Sequence, residues 1–269
     1  MPAPNEITPT QLLRLLGTPA CPVLIDVCLP GDFDVDPRLI PGAVRHPHTD
    51  LPGLEQRLAG RAAIVVCQKG RKLSQGVASA LQSTGINAEY LAGGIVAWRD
   101  AGAPLVPVAA VPFDKDGATR WITRTRPKID RIACPWLIRR FVDPDARFLF
   151  VAPAEVTAAA ELFNATPFDI EGAEFSHHGA LCTFDTMIAR FGLSMPALEQ
   201  MALVIRGADT NAHDLHPAAA GLLALSVGLS RQYRSDHEQL EAGMALYDAL
   251  YRWARDGLDE GHDWPHKGA

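Results

Sequence analysis

The 269-residue sequence predicts two domains: an α/β domain with a parallel sheet and flanking helices, followed by a mainly helical α+β domain. Strand-like and helix-like segments alternate over about the first hundred residues, which is typical of a parallel sheet with helices on both faces. From about residue 183 onward, apolar residues recur at helical spacing. Three prolines and two glycines separate the halves at 102–118. We therefore expect domains at 1–108 and 119–269, joined by a linker at 109–118.

Local patterns place the elements of the first domain in order. A helix is predicted after Thr8, which is the N-cap, with Pro9 at the first helical position and Gln11 completing a capping box. The run "AAIVVC" at 62–67 is continuously apolar, as in a strand that is buried on both faces. Prolines and a glycine predict a loop at 31–43. The other predicted elements are a strand at 22–27, helices at 51–59, 72–85 and 95–102, and a strand entering a turn at 87–94.

The second domain is predicted to combine a few strands with several helices. The amphipathic segment 130–142 favours a helix, which Pro135 either starts or kinks. Strands are predicted on either side of it, at 119–125 and 146–152. Four further helices follow from apolar residues at helical spacing, at 183–192, 195–207, 216–230 and 235–257.

Composition restricts the compartment and the partners. The net charge of −6 argues against nucleic acid or an anionic membrane as a partner, because such proteins usually carry a basic surplus. The amino terminus lacks the pattern of a signal peptide, and the apolar runs are too short to cross a bilayer. The cysteines are odd in number and widely spaced, with no CxxC pair, so we expect reduced thiols in a cytoplasmic protein. They are Cys21, Cys28, Cys67, Cys134 and Cys182.

Cys67 occupies a position that suits a reactive thiol. It ends the predicted strand at 62–67, and a helix begins a few residues later. Loop amides and the positive end of the helix can stabilise a thiolate there, and Gly70 lets the loop curl. Lys69, Arg71 and Lys72 add positive charge. The alternative is a small buried residue at a strand end beside a solvated basic turn.

The first domain resembles the rhodanese sulfurtransferase family over roughly 8–106. The segments "LIDV", "IPGA", "VVCQKGRK" and "YLAGGIVAWRDAGAPL" carry the resemblance. It implies that Cys67 is the nucleophile, which takes sulfane sulfur from a donor such as thiosulfate and passes it to a thiol or cyanide acceptor. No cofactor is required. The residues implied to hold the persulfide are Gln68, Lys69, Gly70, Arg71 and Lys72.

Two departures in this domain bear on the chemistry. Cysteine phosphatases share the fold and place an arginine six positions after the cysteine; here that residue is Leu73, which favours the shorter loop suited to sulfur. Rhodanese domains commonly carry an arginine after "LIDV", where this chain has Cys28. If Cys28 lies near Cys67, a persulfide could resolve to a disulfide; otherwise Cys28 simply packs.

The second domain contains short segments that are dense in reactive side chains. Thiol, imidazole and carboxylate groups can bind a transition metal, whereas arginines beside a thiol suit an oxyanion. The spacings match no standard zinc motif, and ordinary salt bridges, caps and turns are the alternative use. We predict an oxyanion or metal site, its metal undefined, among Asp130, Arg131, Cys134, His177, Cys182, Arg206 and Asp209.

The second domain also resembles the C-terminal domain of the chromate resistance protein ChrB family, over about 119–257. The segments "KIDRIACPWLIRRF", "RGADT" and "AAGLLALSVGLS" are its most specific parts. This resemblance implies a role in chromate resistance or sensing, with chromate as a possible ligand. We predict a sulfurtransferase in that context. The alternatives are a chromate or metal sensor whose loop holds an anion without turnover, and a structural partner of another stress protein.

Overall fold

The first half of the chain forms the predicted parallel sheet with flanking helices. The computed structural model describes residues 5–115 and 117–261. Five parallel strands lie in the order β1-β6-β5-β2-β4, so β5 is central. Along β5, Ile64 and Val66 pack on one face of the sheet while Val65 packs on the other. The strands are β1 (Glu6–Ile7), β2 (Val23–Asp26), β4 (Ala43–Arg45), β5 (Ala63–Val66) and β6 (Ala88–Leu91).

Helices connect these strands, and all but one of them lie where the sequence predicted a helix. The capping box at the first helix is present, since the Thr8 and Gln11 side chains each accept from the other residue's amide. The helices are α1 (Pro9–Leu15), α2 (Pro30–Phe33), α3 (Leu51–Leu58), α4 (Lys72–Ser83) and α5 (Gly94–Asp100).

The predicted loop at 31–43 is partly wrong, because the structure places regular elements within it. Helix α2 covers its first residues, and β3 (Arg38–Leu39) pairs antiparallel with β7 (Val106–Pro107). The partner strand comes from the proline-rich segment 102–118, far along the chain. This pairing depends on tertiary structure, so no local pattern indicates it.

The second half is a mainly helical α+β domain, as predicted. Its three-stranded parallel sheet has the order β10-β8-β9. None of the helices in the described part of the chain is long and apolar enough to cross a membrane. The elements are β8 (Arg120–Arg124), α6 (Asp130–Phe141), β9 (Arg147–Val151), α7 (Val156–Phe163), β10 (Thr166–Pro167), α8 (Thr183–Phe191), α9 (Pro196–Asp209), α10 (Ala219–Gln232) and α11 (Asp236–Asp256).

One hydrophobic core extends through both halves. It includes α1 and one face of the first sheet together with α6, α8, α9 and α11. At the junction, the Gly42 amide donates to the carbonyl oxygen of Phe141 at 2.8 Å. A Cβ on Gly17 would lie 2.2 Å from the Phe141 ring and 2.9 Å from that of Tyr251, so only glycine allows this close approach. The two halves therefore pack directly against each other.

Candidate functional site

Cys67 lies directly after the central strand β5, at the carboxyl edge of the parallel sheet. Ligand sites in open α/β sheets occupy this edge. The residue is 5% exposed and packs with Val65 and Val27 on the face away from the second domain's core. Helix α4 begins at Lys72, so the segment between Cys67 and the helix is a short tight loop.

Two glycines set the shape of this loop. Gly70 has φ +61°, and a Cβ there would lie 2.3 Å from the Leu91 carbonyl oxygen. A Cβ on Gly94, which also has φ +61°, would lie 2.1 Å from the Cys67 carbonyl oxygen. Both clashes are with backbone, so a side chain at either position would force the loop away from the β6–α5 turn.

Backbone amides without protein partners in the described structure follow Cys67 along the chain. In the described structure, none of the amides from Gln68 through Ser74 donates to another protein group, whereas the Gln75 amide donates to the Arg71 carbonyl at 3.0 Å. The first turn of α4 contains no acidic residue. Lys69, Arg71 and Lys72 are exposed. These free amides, the helix end and the basic side chains together favour an anion.

Ser74 directly contacts the candidate nucleophile. Its hydroxyl oxygen accepts from the Cys67 thiol, with 3.1 Å between Oγ and Sγ, and its hydroxyl hydrogen is donated to the Arg71 carbonyl oxygen at 3.2 Å. Ser74 is fully buried. We did not predict this residue from the sequence. The available signal was its place in the first turn of α4, because helical side chains point back toward the helix N-terminus.

Cys28 packs in the same buried cluster as Cys67. Its amide donates to Asp26 Oδ1 at 2.8 Å, and Arg45 contacts the same oxygen at 3.1 Å. Burial, followed by the charges of Asp26 and Cys67, raises the pKa of the Cys28 thiol well above its usual value. Burial likewise raises the pKa of Asp26. Cys28 therefore holds its proton, and its role as a disulfide partner remains a prediction.

A second charged cluster forms around His177 in the second domain. Its Nε2 atom lies 3.5 Å from Asp130, 3.3 Å from Asp169 and 3.2 Å from Asp209, measured to one oxygen of each carboxylate. Asp130 begins α6 and Asp209 ends α9, whereas His177 and Asp169 lie in the connection between β10 and α8. Separate segments of the domain thus converge on one imidazole nitrogen.

Asp130 is held by the amino end of α8. Its Oδ2 accepts from the Thr183 amide at 2.7 Å, and its Oδ1 accepts from the Phe184 amide at 3.0 Å and from the Cys134 thiol at 3.3 Å. The carboxylate is fully buried. Ile129, which precedes it, has φ +43°, an unfavourable conformation for a β-branched residue. The carboxylate position is thus fixed by several contacts.

Asp169 receives the arginines of this cluster. Arg124 contacts its Oδ2 at 2.9 Å and Arg131 contacts the same oxygen at 3.2 Å. The Thr183 hydroxyl donates to its other oxygen at 3.1 Å. The sequence did not single out Asp169, since it lies in an irregular segment with no recognisable motif around it.

Neighbouring charges and burial shift the pKa values of the ionisable groups in this cluster. A hydrogen bond with Asp130 and the three neighbouring carboxylates raise the pKa of His177 to about 9, against the opposing effect of burial. Burial, then the charges of Asp130 and Asp169, raise the pKa of Asp209 to about 7. Burial also raises the pKa values of the Cys134 and Cys182 thiols. Both cysteines are therefore neutral thiols near pH 7.

Comparison with known proteins finds a matching domain family for each half of the chain. The family described as "Rhodanese-like domain" matches residues 8–101, and the family described as "ChrB, C-terminal domain" matches residues 121–254. The chain contains a rhodanese-like domain followed by a ChrB C-terminal domain. Protein ChrB from Cupriavidus metallidurans is 34% identical over 136 residues, which cover 49% of this chain and 40% of that protein. The match thus spans less than half the length of this curated relative.

Solved structures similar to this chain cover less than half of it. A thiosulfate sulfurtransferase from Pseudomonas aeruginosa is 25% identical, with 39% of this chain and 20% of that chain covered and a TM-score of 0.33. A rhodanese-related protein from Thermoplasma volcanium is 22% identical, with 38% and 97% covered and a TM-score of 0.33.

The two domains differ in how the structure arranges the predicted residues. In the rhodanese-like domain, the contiguous loop from Cys67 to Arg71 precedes α4, which Lys72 begins. In the ChrB C-terminal domain, Asp130, Arg131, His177 and Asp209 come together around Asp169. Cys134 and Cys182 are fully buried in the core, and Arg206 pairs with Asp185 at 3.2 Å. The predicted set therefore divides into a charged cluster, two core thiols and a separate ion pair.

Proposed function

We propose that the protein is a sulfurtransferase that carries sulfane sulfur as a persulfide on Cys67. The observation that carries this proposal is the run of amides from Gln68 through Ser74, none of which donates to another described group, beside a buried thiol at the carboxyl edge of the sheet. Unpaired amides in a tight loop can stabilise a sulfur anion. The match to the rhodanese-like family supports the same chemistry.

The reaction consists of two transfers. The Cys67 thiolate attacks the outer sulfur of thiosulfate, an S–S bond forms to Sγ, the S–S bond within thiosulfate breaks, and sulfite leaves with the electron pair. A thiolate or cyanide then attacks the outer sulfur of the persulfide, and Cys67 leaves as a thiolate. No external oxidant or reductant is consumed, and no cofactor takes part. The covalent intermediate divides one difficult transfer into two easier steps.

Intact-protein mass spectrometry after thiosulfate treatment tests this activity. We expect a mass gain of one sulfur atom that maps to Cys67, is removed by cyanide, and is absent in Cys67→Ser. Cys21→Ser is the matched control, because Cys21 is partly exposed whereas the other described cysteines are buried. If thiosulfate slows alkylation of Cys67 but leaves no sulfur on it, the loop binds an anion without turnover and the enzymatic proposal is wrong.

We further propose that this sulfur chemistry serves chromate resistance. Support comes from the second domain, which matches the ChrB C-terminal family over residues 121–254. Growth of a chromate-sensitive strain that expresses the full chain tests this role. We expect the wild-type chain to improve growth and Cys67→Ser to fail at equal expression. Equal growth with both chains would separate any resistance function from the thiol.

A further inference from the structure

Two carboxylates and one imidazole in the ChrB C-terminal domain lie at the spacing of metal ligands. One ligand atom each from Asp130, His177 and Asp209 can be chosen so that all three lie within 4.8 Å of one another. The residues come from the start of α6, the segment before α8 and the end of α9. Their convergence is therefore a product of the tertiary fold and not of neighbouring positions on one exposed helix.

The carboxylate oxygens around His177 are not fully used by hydrogen bonds. The single hydrogen on His177 Nε2 cannot form good bonds to three carboxylates at once, although an oxygen of each lies within 3.5 Å. Each carboxylate oxygen offers about two acceptor sites. Oδ1 of Asp130 already accepts two donors, whereas Oδ2 accepts only the Thr183 amide besides its contact with His177. A bound cation would use the remaining site.

Neither arginine of the cluster forms an ion pair with Asp130 or Asp209. Arg124 and Arg131 both bind Asp169, through the same oxygen. Asp130 and Asp209 form no ion pair with an arginine or lysine in the described part of the chain, so their only ionic contact is with the imidazole of His177. A doubly charged cation with a neutral His177 would balance them.

We propose that Asp130, His177 and Asp209 bind a divalent first-row transition metal ion. Mixed carboxylate and imidazole ligands suit ions such as Mn²⁺, Fe²⁺ and Zn²⁺. Three protein ligands leave coordination positions for water or a substrate, as in catalytic metal sites. The His177 side chain is 37% exposed, so solvent can reach the site. The site is in the second domain and does not depend on the sulfur chemistry of Cys67.

Neither thiol ligation nor oxyanion binding suits the site formed by Asp130, His177 and Asp209. Cys134 and Cys182 are both 0% exposed, and the Cys134 thiol already donates to Asp130. An oxyanion such as chromate would meet the carboxylates of Asp130, Asp169 and Asp209, and its repulsion by like charges would be strong in a partly buried setting. The structure thus favours a cation over the oxyanion alternative.

Binding of Mn²⁺ to the full-length, chelator-treated protein tests the proposal. Mn²⁺ prefers oxygen and nitrogen over thiolate, so the free cysteines do not compete. Loss of the electron paramagnetic resonance signal of free Mn²⁺ should reveal one saturable site, from which Zn²⁺ displaces the Mn²⁺. In Asp209→Asn the affinity should fall by at least about tenfold. Glu161→Gln, an exposed acidic residue in the same domain, should bind as the wild type does.

A second variant protects the test against misfolding. His177→Gln keeps a polar side chain but removes the imidazole, and its affinity should fall at least as far, with an unchanged circular dichroism spectrum. The proposal is overturned if neither Mn²⁺ nor Zn²⁺ binds the wild-type chain saturably. It is also overturned if folded Asp209→Asn and His177→Gln bind as tightly as the wild type.

Discussion

The contact between Ser74 and Cys67 makes a quantitative prediction about thiol reactivity. Ser74→Ala removes a hydroxyl that lies 3.1 Å from Sγ, inside a buried environment where water cannot replace it. A hydrogen bond to a charged group contributes about 1.5–3 kcal/mol, which corresponds to a rate change of about 10- to 100-fold. In the structure this hydroxyl accepts from the Cys67 thiol and donates to the Arg71 carbonyl, so its single hydrogen must turn from the carbonyl to the thiolate when Cys67 ionises, and we expect the lower part of that range. Thiolate reactions of Cys67 should therefore slow by about tenfold near neutral pH.

The assay is the pH profile of iodoacetamide alkylation at Cys67, followed by peptide mass spectrometry, together with the kcat and KM of sulfur transfer from thiosulfate. Ser83→Ala is the matched control, because Ser83 is an exposed serine on the same helix whose hydroxyl donates to the Ala80 carbonyl. We expect the alkylation profile of Ser74→Ala to move to higher pH and kcat to fall, with both unchanged in Ser83→Ala. Wild-type alkylation rates in a folded Ser74→Ala protein would refute the role of the hydroxyl.

Three further perturbations address the loop, the charged cluster and the domain junction. Gly70→Ala should reduce persulfide formation by more than about tenfold because its Cβ would clash with backbone, whereas Gly85→Ala, also at positive φ but with open space, should cost only about 1–2 kcal/mol of stability by denaturant unfolding. The pKa of His177 is raised from 6.5 to about 9, so its stabilisation is complete below pH 6.5 and disappears as the pH rises through 9. After allowance for solvent exposure, the stabilisation by charged His177 amounts to about 1–2 kcal/mol. In the presence of a chelator, the free energy of unfolding of the wild type should fall by this amount between pH 6.5 and 9. His177→Gln should show a smaller fall over the same pH range. Gly17→Ala should lower the unfolding free energy by about 1–3 kcal/mol in thermal or urea unfolding, because the Phe141 ring must move; an unchanged midpoint would mean that the junction yields without cost.

Much of the fold could be predicted from the sequence because its determinants are local. The buried strand β5 is a continuous apolar run, and α1 has its capping box within four residues. The β3–β7 pairing could not be predicted, because two-residue strands far apart in the chain have no pattern of their own. The shared core also escaped prediction, since the proline-rich composition of 102–118 indicated a separator between domains. In the structure, Leu105, Val106 and Val111 from this segment are buried in that core.

The sequence predicts the Cys67 loop more completely than it predicts the His177 cluster. The Cys67 loop is contiguous, so residue types and order were enough to define it. The second cluster depends on convergence: the sequence named Asp130, His177 and Asp209 but not Asp169, which binds both arginines. Composition also does not show burial: Cys134 does contact Asp130, but both Cys134 and Cys182 lie in the core, where solvent does not reach them.

The proposed ligands of the two sites follow from the donors and charges that each site offers. A dianion such as thiosulfate or chromate requires donors that are still available, and the amides from Gln68 through Ser74 meet this requirement in the described structure. The His177 cluster has the opposite character, because its arginines are bound to Asp169 while Asp130 and Asp209 face the imidazole. The sequence suggested that chromate would meet thiols in the second domain. We propose instead that anion and thiol chemistry occurs at Cys67 and cation binding at His177, so we expect Cys67→Ser to impair sulfur transfer alone and His177→Gln to impair metal binding alone.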